Sequence, residues 1–245
     1  MELAGIVAFL DRELRTDEIK DYPGAHNGLQ LANAGEVTRV ACAVDACEAV
    51  IDQAVEAGAD LLIVHHGFLW GGAQRIDGAL YRKLHRAITA GLAIYSSHLP
   101  LDLHPKLGNN ALLAKALGIR RTTPFLEIGV QAAVNQPLVE LIDRIEAIVQ
   151  SPVHVAPGGP DRVRRLGICS GGAGGEIAKA AAAGVDTFLT GEGPHWSFTA
   201  AEELGVNLIY AGHYATETFG VKALGAALER KFDLPWEFLD HPSGL

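Results

Sequence analysis

The chain has 245 residues, 29 of them acidic and 20 basic, for a formal net charge of −9; 49% are hydrophobic and 20% charged. This composition describes a globular protein with ample core and excludes a disordered chain. The negative balance argues against a broad basic face for duplex DNA and leaves only a local basic groove open. No run approaches the roughly 20 apolar residues that a bilayer-spanning helix needs. The amino terminus fits no signal peptide, and the three cysteines (Cys42, Cys47, Cys169) are too scattered for a disulfide framework or a thiolate zinc site. A cytoplasmic protein without membrane contact is expected.

In chain order, residues 2–14 read as an amphipathic helix with Leu3, Ile6, Val7 and Leu10 on one face. A turn-rich segment follows over 21–30. Val37 to Val44 reads as a strand, Cys47 to Ala57 as a helix, and Asp60 to Val64 as a buried strand running into His65-His66-Gly67. A helix is predicted over 79–90, a strand over 92–96, a loop at Leu99-Pro100-Leu101 because Pro100 lacks a donor, and a helix from Ala111 to Leu117 closed by Gly118. The second half opens with a strand from Leu126 to Val134 and a helix over 138–149; residues 152–161 are Pro/Gly-rich and read as a turn or short linker.

The earlier pattern then returns. Arg39 through Gly67 aligns without a gap on Arg165 through Gly193, matching Ile51 with Ile177, Ala57-Gly58 with Ala183-Gly184, and Asp60 with Asp186. Ile94 through His98 likewise faces Ile209 through His213, each histidine being followed four residues on by an acid, Asp102 or Glu217. Helix-to-strand turn chemistry accounts for the Ala-Gly-x-Asp part. It does not account for His-x-x-x-acid after a matching strand in both copies. The expected fold is α/β: two similar lobes from an internal duplication, with helices layered around mixed, largely parallel sheets. The lobes are expected over 1–124 and 125–245, with C-terminal segments free to pack back on the first, and a shared cleft between them.

Neighbouring strand residues point to opposite faces, so His65 and His66 serve one site only if the pleat breaks there, which Gly67 allows. Strand carboxyl ends are where ligands sit in parallel sheets. The pair is either metal-ligating or a structural strand terminus. Four ligand-type clusters result: His65-His66, His98 with Asp102, Glu192 with His195, and His213 with Glu217. His213 and Glu217 would share a face of a helix beginning just after Gly212; a simple surface pair is the plain alternative. Three or four imidazoles with two carboxylates suit Zn, Mn, Fe, Co or Ni better than Mg or Ca. That many donors exceed what one catalytic zinc takes from protein. Two divalent ions sharing Glu217 or Asp102 account for the count better, and hydrolysis is their natural chemistry.

Other features carry less. Ser170 through Gly175 lies between a strand and a helix and could cradle phosphate, though a flexible turn explains it nearly as well. Asn27 and Gln30 are candidate substrate contacts, as are Glu192 and His195. Trp70 and Trp196 could stack a heterocycle, with packing the plainer role.

Asn27-Gly28-Leu29-Gln30, His65-His66-Gly67-Phe68-Leu69-Trp70, His98 through Asp102, Thr190-Gly191-Glu192 and Gly212 through Glu217 occur in that order. Together they resemble the dinuclear-metal family named after NGG-interacting factor three, the GTP cyclohydrolase I type 2 homologs, in its short bacterial form. The resemblance covers nearly the whole chain. It implies His65, His66, Asp102, His213 and Glu217 as metal ligands, with His98 as an extra ligand or proton-transfer group. It also implies a toroidal homohexamer. The function expected is a dinuclear-metal hydrolase acting on a nucleotide or related phosphorylated or heterocyclic substrate. For GTP, water would attack the C8 region with His98 or Glu217 moving protons. The alternatives are a metal storage or delivery ring and a nucleic-acid-associated ring, the latter disfavoured by the charge.

Overall fold

A computed structural model describes residues 1–244. Its elements are α1 (Leu3–Leu14), β1 (Gly28–Leu31), β2 (Val40–Asp45), α2 (Glu48–Glu56), β3 (Leu61–His66), α3 (Gly78–Ala90), β4 (Ala93–Ser96) and α4 (Leu99–Asp102). There follow α5 (Asn109–Ala116), β5 (Thr123–Phe125), β6 (Gly129–Pro137), α6 (Leu138–Val149), β7 (His154–Pro157), β8 (Arg162–Cys169) and α7 (Ile177–Ala182). The chain closes with β9 (Thr187–Thr190), α8 (Trp196–Leu204), β10 (Asn207–Tyr210), α9 (His213–Phe232) and β11 (Trp236–Phe238). It divides into two compact units, Met1–His104 with Gly220–His241 and Pro105–Phe219 with the chain from Pro242, so the division passes through α9.

The first unit holds a sheet in the order β1-β4-β3-β2-β11, parallel except for β1. Strands buried on both faces must be apolar throughout rather than alternating, and β2 and β3 meet that condition. Ala41, Ala43, Leu62, Val64 and Ile94 point to one face and pack on Val50, Ile51 and Ala54 of α2. In α1, Leu3, Ile6, Leu10 and Leu14 are buried at helical spacing, and Asp11 on the same helix accepts a hydrogen bond from the buried Tyr95 hydroxyl at 2.8 Å.

The second unit holds the order β5-β6-β8-β9-β10-β7, with β8, β9 and β10 parallel and the flanking strands antiparallel. Leu166, Ile168, Leu189 and Ile209 face Leu113 of α5 and Leu141 and Ile145 of α6. Cys169, Phe188 and Leu208 face α7 and α8 on the other side. The three parallel strands with their two crossover helices are built alike in both units, as the repeat predicts. Even the antiparallel edge recurs, β1 beside β4 and β7 beside β10.

Local expectations fail in three places. Leu99–Asp102 is one turn of helix, not a loop, because Pro100 falls in the first turn, where its nitrogen has no intrahelical bond to make. The segment 152–161 contains β7, a proline-bounded edge strand on β10. The strand expected from Leu126 starts at Gly129, since Leu126 sits in a turn with φ of 50°.

Candidate metal centre

In the first unit, His65 and His66 close β3, with His66 still in register against Asp45 of β2. The pleat is therefore not broken, yet the two rings lie 4.7 Å apart between centroids, and His98 lies 5.0 Å from His65 and 5.6 Å from His66. One ring nitrogen from each of the three falls within 4.8 Å of the others. Gly67 has a different use from the one expected: a Cβ there would meet the Gln30 amide at 2.2 Å. Its role is to let Gln30 through.

Each of these imidazoles is oriented through Nδ1. His65 Nδ1 donates to the Ser97 carbonyl at 2.9 Å, His66 Nδ1 to Asp45 at 2.8 Å, and His98 Nδ1 to Asp21 at 3.0 Å. A carbonyl or carboxylate only accepts, so the proton belongs on Nδ1 and the lone pair on Nε2. Metal-binding histidines are held in this way. Burial alone would raise the Asp21 carboxyl, but hydrogen bonds from His98 and Asn27 outweigh it and bring its pKa down to about 2. Asp102, 4% exposed, places Oδ2 3.4 Å from His65 Nε2. A buried ring nitrogen and a carboxylate oxygen facing one another at that distance are a donor pair that a cation satisfies.

Asp21 and Asp45 were not among the expected site residues. Asp45 was within reach of the sequence, because it ends β2 where His66 ends β3. Asp21 was not, lying 77 residues from its partner in an irregular turn.

In the second unit, His213 opens α9 directly after Gly212, as the spacing predicts. Its Nδ1 lies 2.9 Å from Glu192 and its Nε2 3.2 Å from Glu217, one helical turn on. The hydrogen bond to Glu217, reinforced by its charge and by Glu192, outweighs burial and raises the imidazole pKa to about 9. Glu217 is 3% exposed, and a Cβ on Gly171 would stand 2.3 Å from its Oε1. Gly171 is also left-handed, with φ of 69°. Both facts require glycine.

The Ser170–Gly175 turn is closed to phosphate at most of its amides. Ser170 N donates to Asn110, Gly171 N to Thr216, Ala173 N to Thr190 and Gly174 N to the Glu192 carbonyl. Asn27 and Gln30 are also bound within the protein. Asn27 accepts from His98 N at 2.7 Å and donates to Asp21 at 2.8 Å; Gln30 accepts from Phe68 N at 2.9 Å and donates to the His26 carbonyl at 2.7 Å. His195 is exposed just before α8 and makes no side-chain hydrogen bond or ion pair among the described residues. Trp70 donates to the Gly67 carbonyl at 2.6 Å and stands edge-on to His98 at 5.1 Å, whereas Trp196 is 54% exposed.

The donor set of the first unit fits a metal ion: three imidazoles with a ring nitrogen each gathered together and a buried carboxylate beside His65. The second unit, taken by itself, holds an imidazole and a carboxylate in contact, His213 and Glu217.

The family model described as Duf34/NIF3 (NGG1p interacting factor 3) matches residues 1–243. A Deinococcus radiodurans protein named GTP cyclohydrolase 1 type 2 homolog is 43% identical, over 98% of this chain and 93% of its own length. The crystal structure of TTHA1606 from Thermus thermophilus superposes with a TM-score of 0.94 at 42% identity, covering all of both chains. The solved structure of ybgI, a protein described as of unknown function, does so with a TM-score of 0.93 at 35% identity, again over all of both chains.

Proposed function

The chain belongs to the Duf34/NIF3 family, and on that premise we propose that it is a metal-dependent hydrolase with a dinuclear centre. His65, His66, Asp102, His213 and Glu217 would hold two divalent ions, and a mixed nitrogen and oxygen set selects Zn, Fe, Mn, Co or Ni over Mg or Ca. The observation that carries this reading is that His65, His66 and His98 each have Nδ1 tied back to an acceptor, while one ring nitrogen from each lies within 4.8 Å of the others. Bound there, the ions supply Lewis acidity and a nucleophile generated from water at neutral pH.

The chain's own residues do the rest. His98, fixed by Asp21 and by its backbone bond to Asn27, presents Nε2 to take or return a proton, and Glu217 is the second group able to do so. Trp70, anchored through its indole nitrogen, offers a ring against which a heterocycle can pack. The relatives' name supports GTP or a related nucleotide as substrate; with GTP, the reacting carbon is C8 of guanine. Glu192 and His195 stand in the second unit as the remaining candidate substrate contacts. A homohexameric ring in the cytoplasm completes the proposal. Among the described residues no helix is long and apolar enough to cross a membrane.

A second reading, metal storage or delivery, is favoured by one observation. Asn27 and Gln30, the two amides expected to contact a substrate, both bond the protein's own chain. The two readings separate by turnover. Hydrolysis of GTP or a model phosphodiester by metal-loaded protein, abolished in His65→Ala with the circular dichroism unchanged, supports the enzyme. Full metal loading without hydrolysis of either compound overturns it in favour of storage.

A further inference from the structure

The second unit contains a cavity of about 520 Å³ at the end of its sheet away from Glu192 and His213. Strand β8 connects the two regions. It leaves Arg162, whose guanidinium bonds Asn135 at the cavity wall at 3.1 Å, and after 8 residues reaches the turn that packs on Glu217. At about 3.3 Å per residue that strand separates them by over ~20 Å.

The cavity is lined by Arg120, Arg121 and Arg144 together with apolar Leu117, Ile119 and Val134, and no Asp or Glu is among its lining residues. In a chain carrying nine more acids than bases, this is a local reversal of sign. Arg144 is fixed in place: it donates to Gln136 at 2.6 Å and to the Leu117 carbonyl. The second bond caps α5 and offsets the negative end of that helix, which would otherwise repel an anion. Arg120 and Arg121 differ from it. Both are exposed, and neither makes a hydrogen bond or ion pair among the described residues. Guanidinium groups present a fork of donors matched to phosphate oxygens. The volume exceeds that of a bare phosphate and lies in the range of small-molecule sites.

We infer that this cavity binds a phosphorylated organic anion of nucleotide size, its phosphates on Arg120 and Arg121 and its apolar part against Leu117, Ile119 and Val134. The inference does not depend on the hydrolase reading, since it uses none of the metal-site residues.

Calorimetric titration of GTP and of inorganic pyrophosphate into the full chain, stripped of metal by a chelator, tests it. Saturable binding is expected, weakened roughly tenfold or more in the R120Q/R121Q double variant, because both guanidinium forks that would meet the phosphates are lost. Metal uptake by that variant should be unchanged, which separates this site from the metal centre. Equal affinities in the two proteins, or no saturable binding, would overturn the inference. So would binding confined to a single-stranded oligonucleotide, which would make the groove a nucleic-acid contact instead.

Discussion

Asp60 and Asp186 perform the same task in the two sheets. Asp60 Oδ2 accepts from the backbone N–H of Thr38 at 2.7 Å and of Arg39 at 3.1 Å, while Asp186 Oδ2 accepts from those of Arg164 at 2.9 Å and Arg165 at 3.0 Å. Each aspartate also gives its carbonyl to the first residue of the next strand, Ala93 or Asn207. Both therefore tie the entrance of one parallel strand to the start of its neighbour. The Asp60 carboxyl is buried enough to be raised, yet the Thr38 and Arg39 hydrogen bonds hold it below its ordinary value. Replacing either residue with alanine removes hydrogen bonds to two exposed backbone donors that water can then take up, and should cost about 0.5–1.5 kcal/mol in urea denaturation. Metal content, measured by mass spectrometry, should stay the same, because the strand carboxyl ends are untouched.

The Asp45 carboxylate holds His66 through Nδ1 without being in the gathered donor set. In Asp45→Ala the imidazole loses the acceptor that fixes its Nδ1–H tautomer. Metal affinity should fall about 10–100-fold, with a melting temperature close to that of the parent. A competition titration against a chromophoric chelator reads the first quantity, and an unchanged affinity would remove Asp45 from the site.

Gly171 and Gly35 separate backbone strain from crowding. Both have positive φ, 69° and 108°, but a Cβ on Gly35 meets nothing within 4 Å, whereas one on Gly171 meets Glu217 at 2.3 Å. Gly35→Ala should cost about 1 kcal/mol or a little more from conformation alone. Gly171→Ala should cost more than that and also displace Glu217, lowering metal uptake. Equal losses in the two variants would contradict the close approach.

How legible this was in the sequence depends on the residue. The two lobes could be read because Asp60/Asp186, the Ala-Gly turns and the His-x-x-x-acid pairs recur at fixed spacing, and each repeats a physical task. Strand β11 could not be read: Trp236–Phe238 is 3 residues long, and its place beside β2 is decided by tertiary pairing alone. Strand β7 was hidden among prolines, which an edge strand tolerates. At the site the histidines were visible from their residue type and position, but the groups that orient them were not. The Ser97 partner of His65 is a backbone carbonyl, which has no sequence signature, and Asp21 reaches His98 across most of a lobe.

The pKa of His213, raised to about 9 chiefly by its hydrogen bond to Glu217, makes the metal-free protein sensitive to pH. The folded state holds this proton more tightly than the unfolded chain, whose histidines titrate near ~6.5. The stabilisation is therefore fully present below that value and is lost as pH rises through about 9. Melting temperatures of the metal-free protein should decline over that window, and His213→Gln should flatten the decline. Metal uptake near pH ~7.5 should release a proton in the parent that the variant does not release.

An anomalous-scattering map of the purified, metal-loaded protein bears most directly on the proposed dinuclear centre. Two peaks ~3.5–4 Å apart, ligated between them by His65, His66, Asp102, His213 and Glu217, are the expected result. A single peak held by His65, His66 and His98 alone, with His213 and Glu217 still paired to each other, would contradict it.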